Sequence, residues 1–157
     1  MRLRRAAAGD ETFFLRVRNA AATRQASFSG ARVAPREHRA WYARSLQDPR
    51  ARMFVIANAE GRRAGTLRFN RLAPGRVEIH LAILPRWQRR GYALAAAARG
   101  FERLRRAPRW NVREIVARIK MKNMASIRFF ERLGYQRVRL GRHLGQPCVV
   151  MLWRKRS

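Results

Sequence analysis

"PRWQRRGYALAAAARG", residues 85–100, is the stretch on which the reading of the whole chain turns. It follows "RVEIHLAIL" (76–84), a predicted strand in which Val77, Ile79, Leu81 and Ile83 share one face and Glu78, His80 and Ala82 the other. From Gly91 the period becomes helical, with Leu94, Ala98, Phe101 and Leu104 along a helix to about Arg106. "QRRGYA" therefore joins a strand to a helix, and its amides open that helix. Such amides have no partner inside the helix and sit at the positive end of its dipole, which suits an anion. Gly91 lets the backbone come close, Ala93 keeps the next turn uncrowded, and Arg86, Arg89 and Arg90 add donors for phosphate. Neither GxGxxG nor GK[ST] spacing is present, so the stretch is not a dinucleotide fingerprint or a P-loop. On these residues alone, a phosphate cradle and a plain basic connection fit equally well.

Outward from this stretch, "VREIVARI" (112–119) is a predicted strand and "NMASIRFFERLG" (123–134) a helix stopped by Gly134. "YQRVRL" and "QPCVVMLW" form a closing hairpin around "GRHLG". Upstream, Arg2 to Ala6 is a first strand, and Asp10 is placed to cap a helix running to Asn19, with Phe13, Phe14 and Val17 on its apolar face. "AAATRQASFSGARVA" is a looser stretch. A second helix runs from Pro35 to Leu46, with Trp41, Tyr42 and Leu46 toward the core. "MFVIA" (53–57) reads as a buried strand, "NAEGR" as a turn and "RAGTLRFN" (63–70) as its hairpin partner. The order β α α β β β α β α β β is that of an α+β (mixed α/β) domain, expected to occupy residues 1–157 as one unit.

The chain has 157 residues, 47% of them hydrophobic, enough for a real core. Its single cysteine, Cys148, excludes an internal disulfide, and His38, His80 and His143 lack zinc-like spacing, so no metal is expected. The Arg-rich start carries no apolar run of signal-peptide length and is interrupted by Asp10 and Glu11; no run approaches a membrane span. A cytoplasmic location without membrane contact is the expectation, with monomer and homodimer left open. Lys and Arg number 37 against 9 Asp and Glu, a net charge of +28. Such a field attracts polyanions, including nucleic acid without sequence preference. The arginines nevertheless punctuate every element instead of forming a tail, so the charge assigns no function by itself.

Gln88-x-x-Gly91-x-Ala93, before an alanine-rich helix, resembles the Q/R-x-x-G-x-G/A motif of the GNAT superfamily of N-acetyltransferases. "NMASIRFFERLGY" (123–135) is similar to that superfamily's N-x-x-S-x-x-L/F-Y-E-x-x-G-F/Y element, and the order of elements agrees along the chain. The resemblance implies a mostly antiparallel twisted sheet of about seven strands, with flanking helices and a splayed cleft between the fourth and fifth strands. It implies acetyl-CoA as co-substrate and direct acetyl transfer to an amine. The amides of Gln88, Arg89, Arg90, Gly91, Tyr92 and Ala93 would hold the pyrophosphate. The pantetheine arm would pair with backbone near Ala82 and Ile83, while Asn123 and Phe130 would flank the cofactor from the other side. A protonated amine needs a base; Glu78 is the first candidate and His80 the second, each otherwise an ordinary strand residue. Phe130 stands where many members carry a tyrosine thought to protonate the departing thiolate. Phe has no proton to give, which leaves water, Tyr92 or Tyr135 for that role.

The first half, through Arg18-Asn19, Arg24, Ser27-Phe28, Glu37-His38, Trp41 and Asp48-Pro49, resembles the branch that acetylates the 4-amino group of UDP-linked amino sugars on the way to pseudaminic acid. The resemblance would put Arg18, Asn19 and His38 near the acceptor, and Trp41 in the wall or in the core. Two alternatives stand beside it. One keeps the chemistry with a peptide, protein or other small amine as acceptor. The other is a GNAT-fold module that binds CoA or nucleic acid without efficient catalysis. A polyamine is disfavoured, because a strongly cationic protein repels a polycation.

Overall fold

The computed structural model describes residues 1–156. One seven-stranded sheet runs through it in the order β1-β2-β3-β4-β5-β7-β6. The strands are β1 (Arg2–Arg5), β2 (Ala51–Ala57), β3 (Arg63–Ala73), β4 (Arg76–Ile83), β5 (Glu114–Lys120), β6 (Gln136–His143) and β7 (Gln146–Arg154). The helices are α1 (Glu11–Asn19), α2 (Ala21–Ala26), α3 (Pro35–Gln47), α4 (Tyr92–Arg105) and α5 (Met124–Arg132). Every neighbouring pair is antiparallel except β4 and β5, which run parallel. Among the described residues no helix is long and apolar enough to cross a membrane.

The parallel pair is the feature that matters for function. It is registered only at Arg76–Glu78 against Glu114–Val116, after which the strands part. The sheet therefore opens at the end of β4 that leads into the 85–91 connection, as the splayed expectation requires.

The alternation along β4 decides what meets what. Leu67 and Phe69 of β3 lie across from Leu81 and Ile79 of β4, and this face receives α4. Gly100 is where α4 comes nearest: a Cβ there would lie 2.6 Å from a Leu67 methyl and 3.0 Å from the Phe69 ring. The apolar spacing along α4 only partly marks its buried face, with Leu104 buried and Phe101 packed against the core. Ala96, Ala97, Gly100 and Leu104 are buried, whereas Leu94 is 54% exposed and Ala98 lies outside. Small residues seat a helix closely on a sheet of large ones, so the larger Leu94 is turned away. The other face of the sheet is covered by α1 and α3, where Phe14 and Tyr42 pack at 5.2 Å between ring centroids.

Two further local readings change. The loose stretch after Asn19 contains α2, a short helix in an alanine-rich run. Asp10 does occupy the position before α1, but its side chain makes no cap bond to that helix. It is buried and instead receives two Arg4 donors at 2.7 Å each, the Ala7 amide at 3.0 Å and Arg63 at 3.3 Å. Asp10 thus ties β1, β3 and the start of α1 together.

Candidate active site

The parting of β4 from β5 opens a cleft of about 1480 Å³ that passes from the α4 N-terminus to the α1–α3 side of the sheet. Its end beside the α4 N-terminus is made of backbone. Gly91 precedes α4 at φ 78°, a conformation that glycine adopts without strain, and Arg89 also has positive φ at 56°. The first amide to find a helical carbonyl is that of Ala95, bonded to Gly91. The amides of Arg89 through Leu94 have no partner among the described residues. Nothing lies within 4 Å of where a Gly91 Cβ would be, so the space before these amides is open. A row of free donors in front of open space is what a phosphate group requires.

Gln88 has a different part from the expected one. Its own amide is bonded to the Pro85 carbonyl, and its side-chain Nε2 donates to the Ile83 carbonyl at 3.0 Å. Gln88 fastens the end of β4 to the connection and so shapes the cradle without supplying an amide to it. The arginines divide likewise: Arg86 and Arg90 lie over the Trp87 ring, at 5.7 and 5.5 Å, while Arg89 lines the cleft. Ala82, Ile83, Tyr92, Ala93, Asn123 and Phe130 also line it. Asn123 begins α5, its Oδ1 accepting the Ser126 amide at 3.2 Å.

At the centre, Glu78 and His80 project from the same face of β4. Glu78 is buried, 8% exposed. Its Oε1 accepts from Arg118 at 2.7 Å, and its Oε2 lies 3.5 Å from His80 Nε2. Burial pushes the Glu78 carboxyl up, but the hydrogen bond with His80 and the charges of His80, Arg118 and His143 outweigh it, and the net shift is downward. His80 is also held below its ordinary value, chiefly by desolvation, assisted by Arg68 and Arg118 and opposed by Glu78. A carboxylate made more acidic is a weaker base, whereas an imidazole kept neutral at pH 7 has a lone pair to offer. Of the pair, His80 is thus the better proton acceptor and Glu78 the better anchor.

Phe130 is buried with its ring 4.9 Å from that of Tyr135. Tyr135 is not placed to donate a proton: it does not line the cleft, its hydroxyl is buried without a partner, and burial raises its pKa. Tyr92 remains as a cleft phenol, packed edge-on against Trp87.

The end on the α1–α3 side is made of side chains. Arg18, His38 and Trp41 line the cleft, but Asn19 does not; both ends of its amide hold Val33, at 2.9 and 2.8 Å. Asn19 therefore secures the 27–34 segment. His38 is buried, with Nδ1 2.8 Å from Glu11 Oε1, which joins α3 to α1. Trp41 lines the cleft and packs against the core behind it, and the Arg68 guanidinium lies 5.0 Å from its ring centroid. Sequence reasoning passed over Arg68, Arg118 and Thr66, which reach the cleft only because β3 and β5 flank β4. Across the register, Arg68 lies opposite His80 and Thr66 opposite Ala82, so knowing the hairpin register would have found them. No group of three or more His, Cys, Asp or Glu is gathered among the described residues.

Comparison with known proteins places this geometry. The profile described as "Acetyltransferase (GNAT) domain" matches residues 1–136. The chain belongs to the GNAT acetyltransferase family. No curated protein matches it in sequence. Among solved structures, spermidine N-acetyltransferase from Vibrio cholerae, in complex with CoA and spermine, superposes with a TM-score of 0.86 at 18% identity, covering 98% of this chain and 94% of that one. Ribosomal-protein-alanine N-acetyltransferase from Brucella melitensis gives 0.81 at 18% identity, covering 99% and 100%. Salmonella typhimurium yncA with acetyl-CoA gives 0.78 at 23%, covering 98% and 93%. At these identities the GNAT chain shares the fold of these proteins, and its acceptor is a separate question.

Proposed function

We propose that this GNAT domain moves the acetyl group of acetyl-CoA directly to a primary amine, and that the amine belongs to a nucleotide-activated amino sugar. The observation that carries the transferase reading is the parting of β4 and β5 beside the Glu78–His80 pair, with free amides of residues 89–94 at one end. Acetyl-CoA supplies an acetyl group already activated as a thioester. The Arg89–Leu94 amides hold its pyrophosphate, and the open edge of β4 around Ala82 and Ile83 meets its pantetheine arm. Asn123 and Phe130 line the side belonging to α5.

His80 removes the proton from the acceptor ammonium, which frees the nitrogen lone pair for attack. Glu78, gripped by Arg118, keeps a hydrogen on His80 Nε2 and orients the ring. A backbone N–H of β4 meets the negative oxygen that develops. A thiol with a pKa of about 8.5 leaves tolerably as thiolate near neutrality, so Phe130 does not preclude turnover.

The acceptor end supports an anion-bearing substrate. Arg18, Arg44, Arg68 and Arg118 line the cleft against only Glu37 and Glu78. Glu78 is already paired, so a polycation would find little to bind. The test is a thiol-release assay with acetyl-CoA and UDP-amino sugars, amino-terminal peptides, spermidine and small neutral amines. Release above background with a UDP-amino sugar is expected. Preference for a peptide or spermidine would replace the acceptor, and acetyl-CoA binding without release for any amine would leave a binding module.

A further inference from the structure

Arg68 stands beside the reacting centre with nothing to hold. It lies across from His80 in the β3–β4 register, and therefore shares the face of Glu78 and His80. Its guanidinium is stacked over Trp41, which leaves the donors along its edge free. It makes no hydrogen bond or ion pair with any described residue, and its Nε is buried without a partner. The carboxylate on the same face, Glu78, is occupied by Arg118 at 2.7 Å. Desolvation lowers the Arg68 pKa to about 10, and the side chain is still charged at neutral pH. Burying the Arg68 Nε–H without a partner is costly unless something arrives to match it. Arg18, across the same cleft, repeats the pattern: Nη2 donates to the Ser29 carbonyl at 2.9 Å, while Nη1 is buried and unpartnered.

We propose that the amine acceptor carries an anionic group, a phosphate or a carboxylate, which Arg68 binds against Trp41 beside the Glu78–His80 pair, with Arg18 as a second contact on the α1 wall. The proposal rests on the transferase reading and narrows it: Arg68 becomes the residue that separates anionic from cationic amines. A planar guanidinium takes either anion through two parallel N–H donors, which an ammonium cannot do.

The test uses full-length protein saturated with CoA, so that the 89–94 amides are already filled. Binding of inorganic pyrophosphate, UDP and glycine is measured by calorimetry at about 0.15 M salt, where the general field of the protein is screened beyond a Debye length. Wild type is expected to bind UDP and pyrophosphate if the group is a phosphate, and glycine if it is a carboxylate. Arg68→Met should weaken that binding by roughly ten- to a hundredfold, the scale of a charged hydrogen bond. Arg68→Lys should recover only part of it. Arg39→Met, which removes an equal charge from the exposed face of α3, should change nothing. CoA affinity reports folding in each variant, and Arg68→Lys decides the matter if Arg68→Met does not fold. Equal anion binding by wild type and both Arg68 variants overturns the proposal, as does failure of all three probes to bind wild type that holds CoA. Failure of wild type to bind CoA overturns the transferase reading instead.

Discussion

The two ends of the cleft are built from different materials. The end proposed for the cofactor is a run of consecutive peptide groups, 89–94, shaped by one glycine with positive φ and fastened by Gln88. The end proposed for the acceptor is a set of side chains from α1, α3, β3, β4 and β5, brought together only by the completed fold. Backbone recognition tolerates change around it as long as the conformation survives. Side-chain recognition can be altered one residue at a time. The first suits a co-substrate common to a family, and the second suits an acceptor that differs between members.

Breaking the cofactor end should give the largest effect. The Cβ that Gly91→Val adds meets nothing within 4 Å. The substitution does place a β-branched residue at φ 78° and its methyls in the space before the amides. Acetyl-CoA affinity, measured by calorimetry, should fall by roughly a hundredfold or more. Acetyl-CoA should raise the melting temperature of wild type and not of the variant. Wild-type affinity in Gly91→Val would remove the cradle from the molecule.

The centre of the cleft sharpens the comparison, since a change there should affect turnover more than cofactor binding. His80→Asn should lower kcat by about a hundredfold, and Glu78→Gln by less, with little change in acetyl-CoA affinity. The pH profile tells the roles apart. Because His80 titrates below its ordinary value, the wild-type rate should climb as pH rises through a range below 6.5 and level off above it. Glu78 favours the protonated imidazole, so its removal should move that acid limb to lower pH. An unmoved limb in Glu78→Gln would separate the two residues. A limb that survives in His80→Asn would make Glu78 the base.

The same contrast explains what the sequence revealed. A backbone cradle leaves a short contiguous trace, so Gly91 and Ala93, placed between an alternating strand and a helix, marked a candidate that the resemblance to the GNAT motif then singled out. The order of elements was legible for the same reason, since period and turn residues act locally, whereas the parting of the fourth and fifth strands was implied only by the resemblance to the GNAT superfamily. Leu94 fell on the apolar period of the helix because periodicity counts apolar residues and does not weigh their size. Close packing over Leu67 and Phe69 instead selected Ala96, Ala97 and Gly100. Arg68 was hidden by its context, one arginine among many. What distinguishes it is the register opposite His80 and the lack of a partner, and both are tertiary facts. Asn19 shows the opposite error: its amide was free for an acceptor in the sequence, and in the fold it is spent on Val33.

The smallest effect should come from the support beneath the acceptor end. The Asp10 carboxyl is lowered from 3.8 to about 2, first by its hydrogen bond to Arg4 and further by the Ala7 amide and Arg63, against the opposing effect of burial. A carboxylate more acidic in the folded state stabilises the fold in full above 3.8, and that contribution is lost as pH falls toward about 2. Arg4 is half exposed, so solvent weakens the pair and leaves a contribution of about 1–2 kcal/mol. Asp10→Asn should therefore lower Tm at pH 7 by roughly 3–6 °C. Chemical denaturation should show the gap from wild type closing as pH is taken down through that window. Below the melting range, acetyl-CoA affinity should stay at the wild-type value, because Asp10 anchors β1, β3 and α1 and none of these supplies the 89–94 amides. A parallel loss of cofactor affinity would show that the two ends respond as one unit, and the independence of backbone and side-chain recognition would not hold.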